Sequence, residues 1–294
     1  MPASPPEQRP RFSISQISTL GAPFAEDVET YRAAGVEGLG IWELKLPEGG
    51  DAAALERLAE SGLASTNAVP LVPSVLPLPL MEGPADPQER IERLCASLHR
   101  LAPFRPDAVV CLTGPAGDLG AERARSVLVD GLRTLAGEAR ATGLRIGLEP
   151  YSRHGGEQWT IANTLAEAAE LIDEAGVTDA VGLLFDVWHL WDDPALERDL
   201  RELAGSIVGV HVSDVREPTR SFADRLLPGD GVADVPRILG LLDRAGWDGF
   251  YDLEIFSDNG VFGHDLPDSL WNLAPGELAR RGREAFLACW EART

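Results

Sequence analysis

Residues 181–214 read VGLLFDVWHLWDDPALERDLRELAGSIVGVHVSD. The segment opens on a short apolar run, Val181–Val187, passes through a charged stretch near 194–204 that repeats Leu196, Leu200 and Leu203, and closes on a second apolar run, Val208–Asp214. Apolar, β-branched runs of this length read as strands, and leucines spaced by one helical turn among Arg, Glu and Asp read as an amphipathic helix. The segment is therefore a strand–helix–strand unit.

Working outward, the same alternation recurs along the chain. Strands are expected at Phe12–Leu20, Gly38–Leu44, Ala64–Val69, Ala108–Thr113, Arg145–Glu149, Val181–Val187, Val208–Asp214 and Tyr251–Ile255. Helices are expected near 24–35, 51–62, 86–101, 119–143, 163–175, 194–204, 234–245 and 275–292. Ala34-Gly35, Thr142-Gly143, Ala175-Gly176 and Ala245-Gly246 fall where each helix must stop on a left-handed residue before the next strand. Eight βα units predict an α/β fold, a (β/α)₈ TIM barrel, in a single domain over residues 11–294, with residues 1–10 as a flexible N-terminal tail. An open doubly wound sheet is the alternative, but Gly21-Ala22-Pro23-Phe24 after the first strand is no glycine-rich phosphate loop. Residues 70–87, PLVPSVLPLPLMEGPADP, form a long proline-rich connection at the end of the barrel where active sites lie, either a lid or a stiff rim segment.

At 294 residues the chain is long enough for one large barrel core. Its 47 acidic and 26 basic residues leave a formal charge of −21, which disfavours nucleic acid and anionic membrane surfaces as partners. Cys95, Cys111 and Cys289 are widely separated and match no zinc spacing, so a reduced cytoplasmic protein is expected. No apolar stretch has the length of a signal or a membrane span.

Catalytic groups of such a barrel project from the C-terminal ends of its strands. Four consecutive strand ends each carry one metal-capable side chain: Glu149 in Leu148-Glu149-Pro150, Asp186 in FDVWH (185–189), His211 in VHVSD (210–214) and Glu254 in LEIF (253–256). Taken singly, each would be a cap, a salt-bridge partner or a core histidine. At equivalent depth on adjacent strands they crowd three carboxylates around one imidazole, a cluster that needs a cation. Three oxygens and one nitrogen suit a hard divalent ion, Mn²⁺ foremost, with Mg²⁺, Co²⁺ or Zn²⁺ as alternatives.

The ordered motifs, with RLLPGDG at 225–231 between the last two, resemble the xylose-isomerase-like sugar isomerase/epimerase superfamily over roughly residues 11–292. That resemblance implies a Glu149–Asp186–His211–Glu254 metal site, Glu149 and Glu254 as acid and base on opposite faces of the substrate, and His189 against substrate oxygens. The implied activity is a divalent-metal-dependent isomerase or epimerase acting on a small sugar, keto-sugar or related polyhydroxy carbonyl compound, by α-proton abstraction through a metal-bound enediolate. The family also contains dehydratases, so a lyase acting on a keto-inositol or 3-keto glycoside is the second reading.

The family's further substrate contacts map less directly. Arg225 or Arg216 would supply the arginine, Arg225 being favoured, and Glu157 or Gln158 the second glutamate. Trp159 and His154 lie in the loop after strand five, where an aromatic ring stacks on a sugar, and Glu43 or Lys45 ends strand two. Lys45, the single lysine, raises a Schiff-base possibility that three nearby carboxylates make unattractive. His99 reads as structural, and His264 as either surface or a loop over the site. Apurinic endonucleases share this barrel but use a trinuclear zinc site that demands many histidines, whereas only His189 and His211 of the five here sit at strand ends, and the negative charge also opposes DNA. A barrel that binds a sugar without turnover is a non-enzymatic alternative, and a homo-oligomer is expected from the apolar 70–87 loop.

Overall fold

The computed structural model describes residues 9–79, 81, 83–151 and 159–294. Eight parallel strands close into a barrel: β1 Arg11–Ser15, β2 Gly38–Trp42, β3 Ala64–Val69, β4 Ala108–Leu112, β5 Ile146–Glu149, β6 Val181–Asp186, β7 Ile207–Val212 and β8 Phe250–Leu253. Neighbours pair in the order β1-β8-β7-β6-β5-β4-β3-β2, so β1 closes against both β8 and β2. Outside run α1 Phe24–Ala33, α2 Asp51–Ser61, α3 Pro87–Leu101, α4 Ala121–Thr142, α5 Leu165–Ala175, α6 Leu196–Leu203, α7 Val235–Arg244 and α8 Pro275–Glu291. The predicted eightfold alternation is therefore the architecture, a single TIM barrel. Pro10, assigned to the tail, is buried, and residues 1–8 lie outside the described residues.

Helix ends follow the expected chemistry. Gly143 caps α4 at φ 73°, and Gly176 caps α5 at φ 69°, where an L side chain would be strained. At the N-terminal side, Asp86 accepts from the Gln88 amide and Pro87 takes the first helical position of α3.

The main departure is at β1. Phe12–Leu20 was expected to be extended throughout, but residues Gln16–Thr19 form a 3₁₀ turn. The buried Gln16 side chain explains it: its amide donates to Asp27 and its carbonyl accepts from the Trp42 amide, contacts an extended chain alternating in and out would not make together.

Strand residues of the main core are mostly Ile, Leu, Val and Phe, joined by Ala68, Cys111 and Tyr251. The lumen is different. Near the cluster it is closed by Ile17, Trp42, Val69, Val110, Leu112 and Leu184. Lower down it holds Asn67 and Asp252, for which glycines make room: a Cβ on Gly209 would stand 2.3 Å from Asn67 Oδ1, and one on Gly40 2.3 Å from Asp252 Oδ2.

The 70–87 connection packs onto the rim. Val75 and Leu76 donate backbone hydrogen bonds to Leu112 and Thr113, and Val75, Leu76 and Leu78 are buried. Arg90 of α3 fastens it, donating to the Ser74 carbonyl (2.9 Å), the Ser74 hydroxyl (2.6 Å) and the Pro84 carbonyl (3.0 Å).

Candidate metal centre and active site

Glu149 and Asp186 are the last residues of β5 and β6, His211 is next to last in β7, and Glu254 directly follows β8. Parallel strands in a closed barrel end together at one face, so these side chains meet at the C-terminal mouth. His211 Nδ1 lies 3.4 Å from both Glu149 Oε1 and Glu254 Oε2. One donor atom from each of the four residues lies within 4.8 Å of the others, and all four residues are buried. Asp186 divides its carboxylate: Oδ1 accepts from the Trp188 amide and caps the one-turn helix Val187–Leu190, while Oδ2 faces the cluster.

The donor set fits a divalent cation. Two ligands about 2.1 Å from one ion lie about 3.0–3.4 Å apart across an angle of about 90–109°, and the His211 spacings match the upper end of that range. Neither ring nitrogen of His211 has a hydrogen-bond partner among the described residues, and an unpartnered buried imidazole is costly unless a ligand completes it.

One buried cation shares the cluster. Arg225 Nη1 donates to Asp186 Oδ2 (2.7 Å) and Glu254 Oε2 (3.1 Å), and the guanidinium rests between the Trp188 and Phe256 rings at 5.1 and 4.9 Å. A two-stranded antiparallel ribbon, Asp214–Val215 with Arg225–Leu226, delivers it. Asp214 in turn accepts from the amides of Gly229 and Ala233, which fixes the Pro228-Gly229-Asp230-Gly231 turn.

The electrostatics follow from these neighbours. Burial pushes the Glu149 carboxyl up to about 7. Burial alone would also raise Asp186, but Arg225 beside it holds it below the ordinary carboxylate value. For His211 burial works downward, and Glu254, Glu149 and Asp186 together overturn it and carry the imidazole up. For His189 burial outweighs the raising influence of Asp186, 3.7 Å from Nε2, and Arg225 and His211 add to the fall, so the imidazole goes down to about 3 and is neutral across the physiological range. Its ring stacks on Tyr151 at 3.9 Å between centroids, and neither ring nitrogen has a partner among the described residues.

Other predicted residues are placed elsewhere. Arg216 is committed to Asp224 (3.1 Å) and Asp268 (2.9 Å) in a rim network shared with Arg220. Glu43 is not brought to the cluster; its carboxylate accepts from Ser97 (2.6 Å), the Leu71 amide (2.9 Å) and Arg100 (3.3 Å), which turns it toward α3. Lys45 donates to Asp27 and to the Gln16 and Thr19 carbonyls, a satisfied buried ammonium rather than a free amine. Trp159 is half-buried, its ring 5.8 Å from Phe222. His99 pairs with Glu138 on the surface, and His264 is exposed. Glu157, Gln158 and His154 lie outside the described residues.

Residues 28–289 match the family described as xylose isomerase-like TIM barrel. The chain belongs to the xylose isomerase-like TIM barrel family. Within it, the 3-dehydroshikimate dehydratase of Pseudomonas putida is 30% identical over 263 residues, covering 84% of this chain and 38% of that protein. The inosose isomerase of Halalkalibacterium halodurans is 28% identical over 132 residues, 44% of this chain and 45% of its own. The match thus spans about two fifths of the length of these two curated relatives. Protein SMc04130 from Sinorhizobium meliloti shares the fold at a TM-score of 0.82 and 24% identity, over 95% of this chain and 98% of that one.

Sequence reasoning missed Tyr151 and Phe256, although each follows a motif glutamate by two residues. Tyr151 supplies the face on which His189 stacks, and Phe256 the face on which Arg225 rests. It also missed Asp252, which precedes Glu254 by two and so shares its inward face.

Proposed function

We propose that this xylose isomerase-like barrel is a divalent-metal-dependent isomerase or epimerase acting on a small polyhydroxylated carbonyl compound by proton abstraction from the carbon next to the carbonyl. The observation that carries this reading is the pair of buried glutamates, Glu149 and Glu254, each with a carboxylate oxygen 3.4 Å from His211 Nδ1. Glu149, Asp186, His211 and Glu254 would hold the ion, Mn²⁺ foremost. When bound, such an ion polarises a carbonyl oxygen and stabilises negative charge that develops on it.

The chain's own groups would do the rest. One glutamate takes the proton from the α-carbon, and the C–H electron pair moves into a carbon–carbon double bond as the carbonyl oxygen gains charge. The other returns a proton to the opposite face, which inverts that carbon. His189, neutral and unpartnered, offers a hydrogen-bonding edge to a substrate hydroxyl. Arg225 adds positive charge near the developing oxyanion. The dehydratase among the relatives supports a second reading on the same groups: the same abstraction, followed by departure of a β-hydroxyl that takes a proton from the other glutamate and leaves as water. Three cysteines without a disulfide fit a reducing compartment, and we place the enzyme in the cytoplasm.

Incubation in D₂O with ketoses, inosose and 3-keto glucosides, with Mn²⁺ or with EDTA, read by NMR, tests this. Mn²⁺-dependent turnover with deuterium at the reacting carbon is expected. Loss of a hydroxyl would select the dehydratase reading, and turnover without solvent deuterium would overturn the two-glutamate mechanism.

A further inference from the structure

Barrels of this type normally fill their lumen with branched apolar side chains. Here a carboxylate sits inside, beneath the metal-capable cluster. Asp252 is fully buried on β8, and its Oδ2 reaches across the lumen to β3, accepting from Thr66 Oγ1 (3.1 Å) and Asn67 Nδ2 (3.5 Å). Gly40 and Gly209 clear the space for that crossing. Below it, Thr66, Asn67 and Gly209 line a cavity of about 210 Å³ that opens on the N-terminal face among Arg11, Asp107 and Arg145. Below the apolar side chains that close the lumen near the cluster, polar groups therefore continue toward that face.

Asp252 is also in register with His211 on the adjacent strand. Glu254, two residues on, lies against His211 Nδ1, so Asp252 shares its inward face. Two observations then meet. His211 presents Nδ1 to Glu149 and Glu254, which leaves Nε2 turned from them, buried and without a partner among the described residues. Asp252 Oδ1 is likewise buried and without a partner among them, while Oδ2 is held by Thr66 and Asn67. An imidazole that offers its Nδ1 lone pair must carry its proton on Nε2, and a buried N–H needs an acceptor.

We propose that Asp252 is a positioning residue for His211: the two side chains make no direct hydrogen bond, and Asp252 Oδ1 accepts the Nε2 proton through one bridging water, which fixes the tautomer in which Nδ1 is free for a metal ion. Carboxylates in this relation to a metal-bound imidazole raise its basicity and hold its ring, and their loss typically weakens metal affinity by about 10–100-fold. Thr66 and Asn67 hold the other oxygen, which restricts rotation of the carboxylate. The inference rests on the metal-site reading above.

The test compares wild type with Asp252→Asn and Thr66→Val by three readouts: the Mn²⁺ dissociation constant from calorimetric titration, the thermal midpoint of the metal-free protein, and ¹⁵N chemical shifts of histidine-labelled, Zn²⁺-loaded protein. Asp252→Asn is expected to weaken Mn²⁺ binding by about 10–100-fold and to shift the His211 Nε2 resonance. Thr66→Val, which leaves the carboxylate in place, should do both to a smaller degree. Should Asp252→Asn fail to fold, Thr66→Val carries the same comparison. Wild-type Mn²⁺ affinity and an unmoved Nε2 resonance in a folded Asp252→Asn protein would overturn the proposal and leave the metal site standing. A wild-type protein that binds no divalent ion would instead overturn the metal reading on which it rests.

Discussion

Arg225→Met offers a measurement in which the cluster reports on itself. The guanidinium is 4% exposed, and its Nη1 lies 2.7 Å from Asp186 Oδ2 and 3.1 Å from Glu254 Oε2. Methionine keeps most of the stem between Trp188 and Phe256 but removes the charge. Two buried carboxylates then lose their cation, and breaking a buried pair in this way costs about 3–5 kcal/mol. For a barrel of this size about 1 kcal/mol corresponds to about 2 °C, so the metal-free variant should melt about 6–10 °C below wild type. A divalent ion supplies positive charge to the same carboxylates. At about 100 times its dissociation constant it stabilises wild type by about 2.7 kcal/mol, or about 5 °C. In the variant the ion also relieves the uncompensated charge, so its ion-induced rise should be several degrees larger. Calorimetric scans with EDTA and with MnCl₂ give the four midpoints. An ion-induced rise in Arg225→Met equal to or smaller than that of wild type would refute the argument, because arginine and ion would then not share their carboxylates.

Further outcomes follow from the same geometry. His211→Ala and Asp186→Asn should lose bound metal and activity together, whereas His189→Ala should retain the ion while turnover falls by about 10²-fold; metal analysis beside rate measurement would contradict the division of roles if all three lost the ion alike. Metal affinity should rise with pH. Burial keeps a proton on Glu149 up to about 7, the surrounding carboxylates raise His211, and both must be proton-free to bind, so Mn²⁺ titrations from acid to alkaline pH should tighten through neutrality and a flat profile would count against them as ligands. Lys45→Met should destabilise the fold by about 3–5 kcal/mol, since it strands the buried Asp27 carboxylate, yet leave turnover of the folded fraction unchanged; borohydride trapping of a substrate adduct on Lys45 would show the lysine to be chemical rather than structural.

The barrel and its cluster were legible in the chain because both depend on local periodicity. A strand's apolar run and a helix's leucine spacing are set by neighbours in sequence, and closure of a parallel barrel puts every strand end at one face, so Glu149, Asp186, His211 and Glu254 meet because alternation turns each of them inward there. Partner choice is not local. Arg216 and Arg225 look alike as letters, but the antiparallel ribbon carries only Arg225 inward, and Arg216 finds Asp224 and Asp268 at the rim. Glu43 ends its strand as the cluster residues end theirs, yet Ser97 and Arg100 of α3 claim its carboxylate. Lys45 could be read as a nucleophile until Asp27 and two carbonyls were seen to use its hydrogens. Asp252 is the sharpest case. Strand alternation turns it inward, but that its carboxylate crosses the lumen to Thr66 and Asn67 is decided by glycines 40 and 209 on strands far apart in sequence. The chain alone determined which side chains line up along the strands; packing decided which of them were already satisfied, because a charge buried by tertiary contacts must take whatever partner those contacts bring.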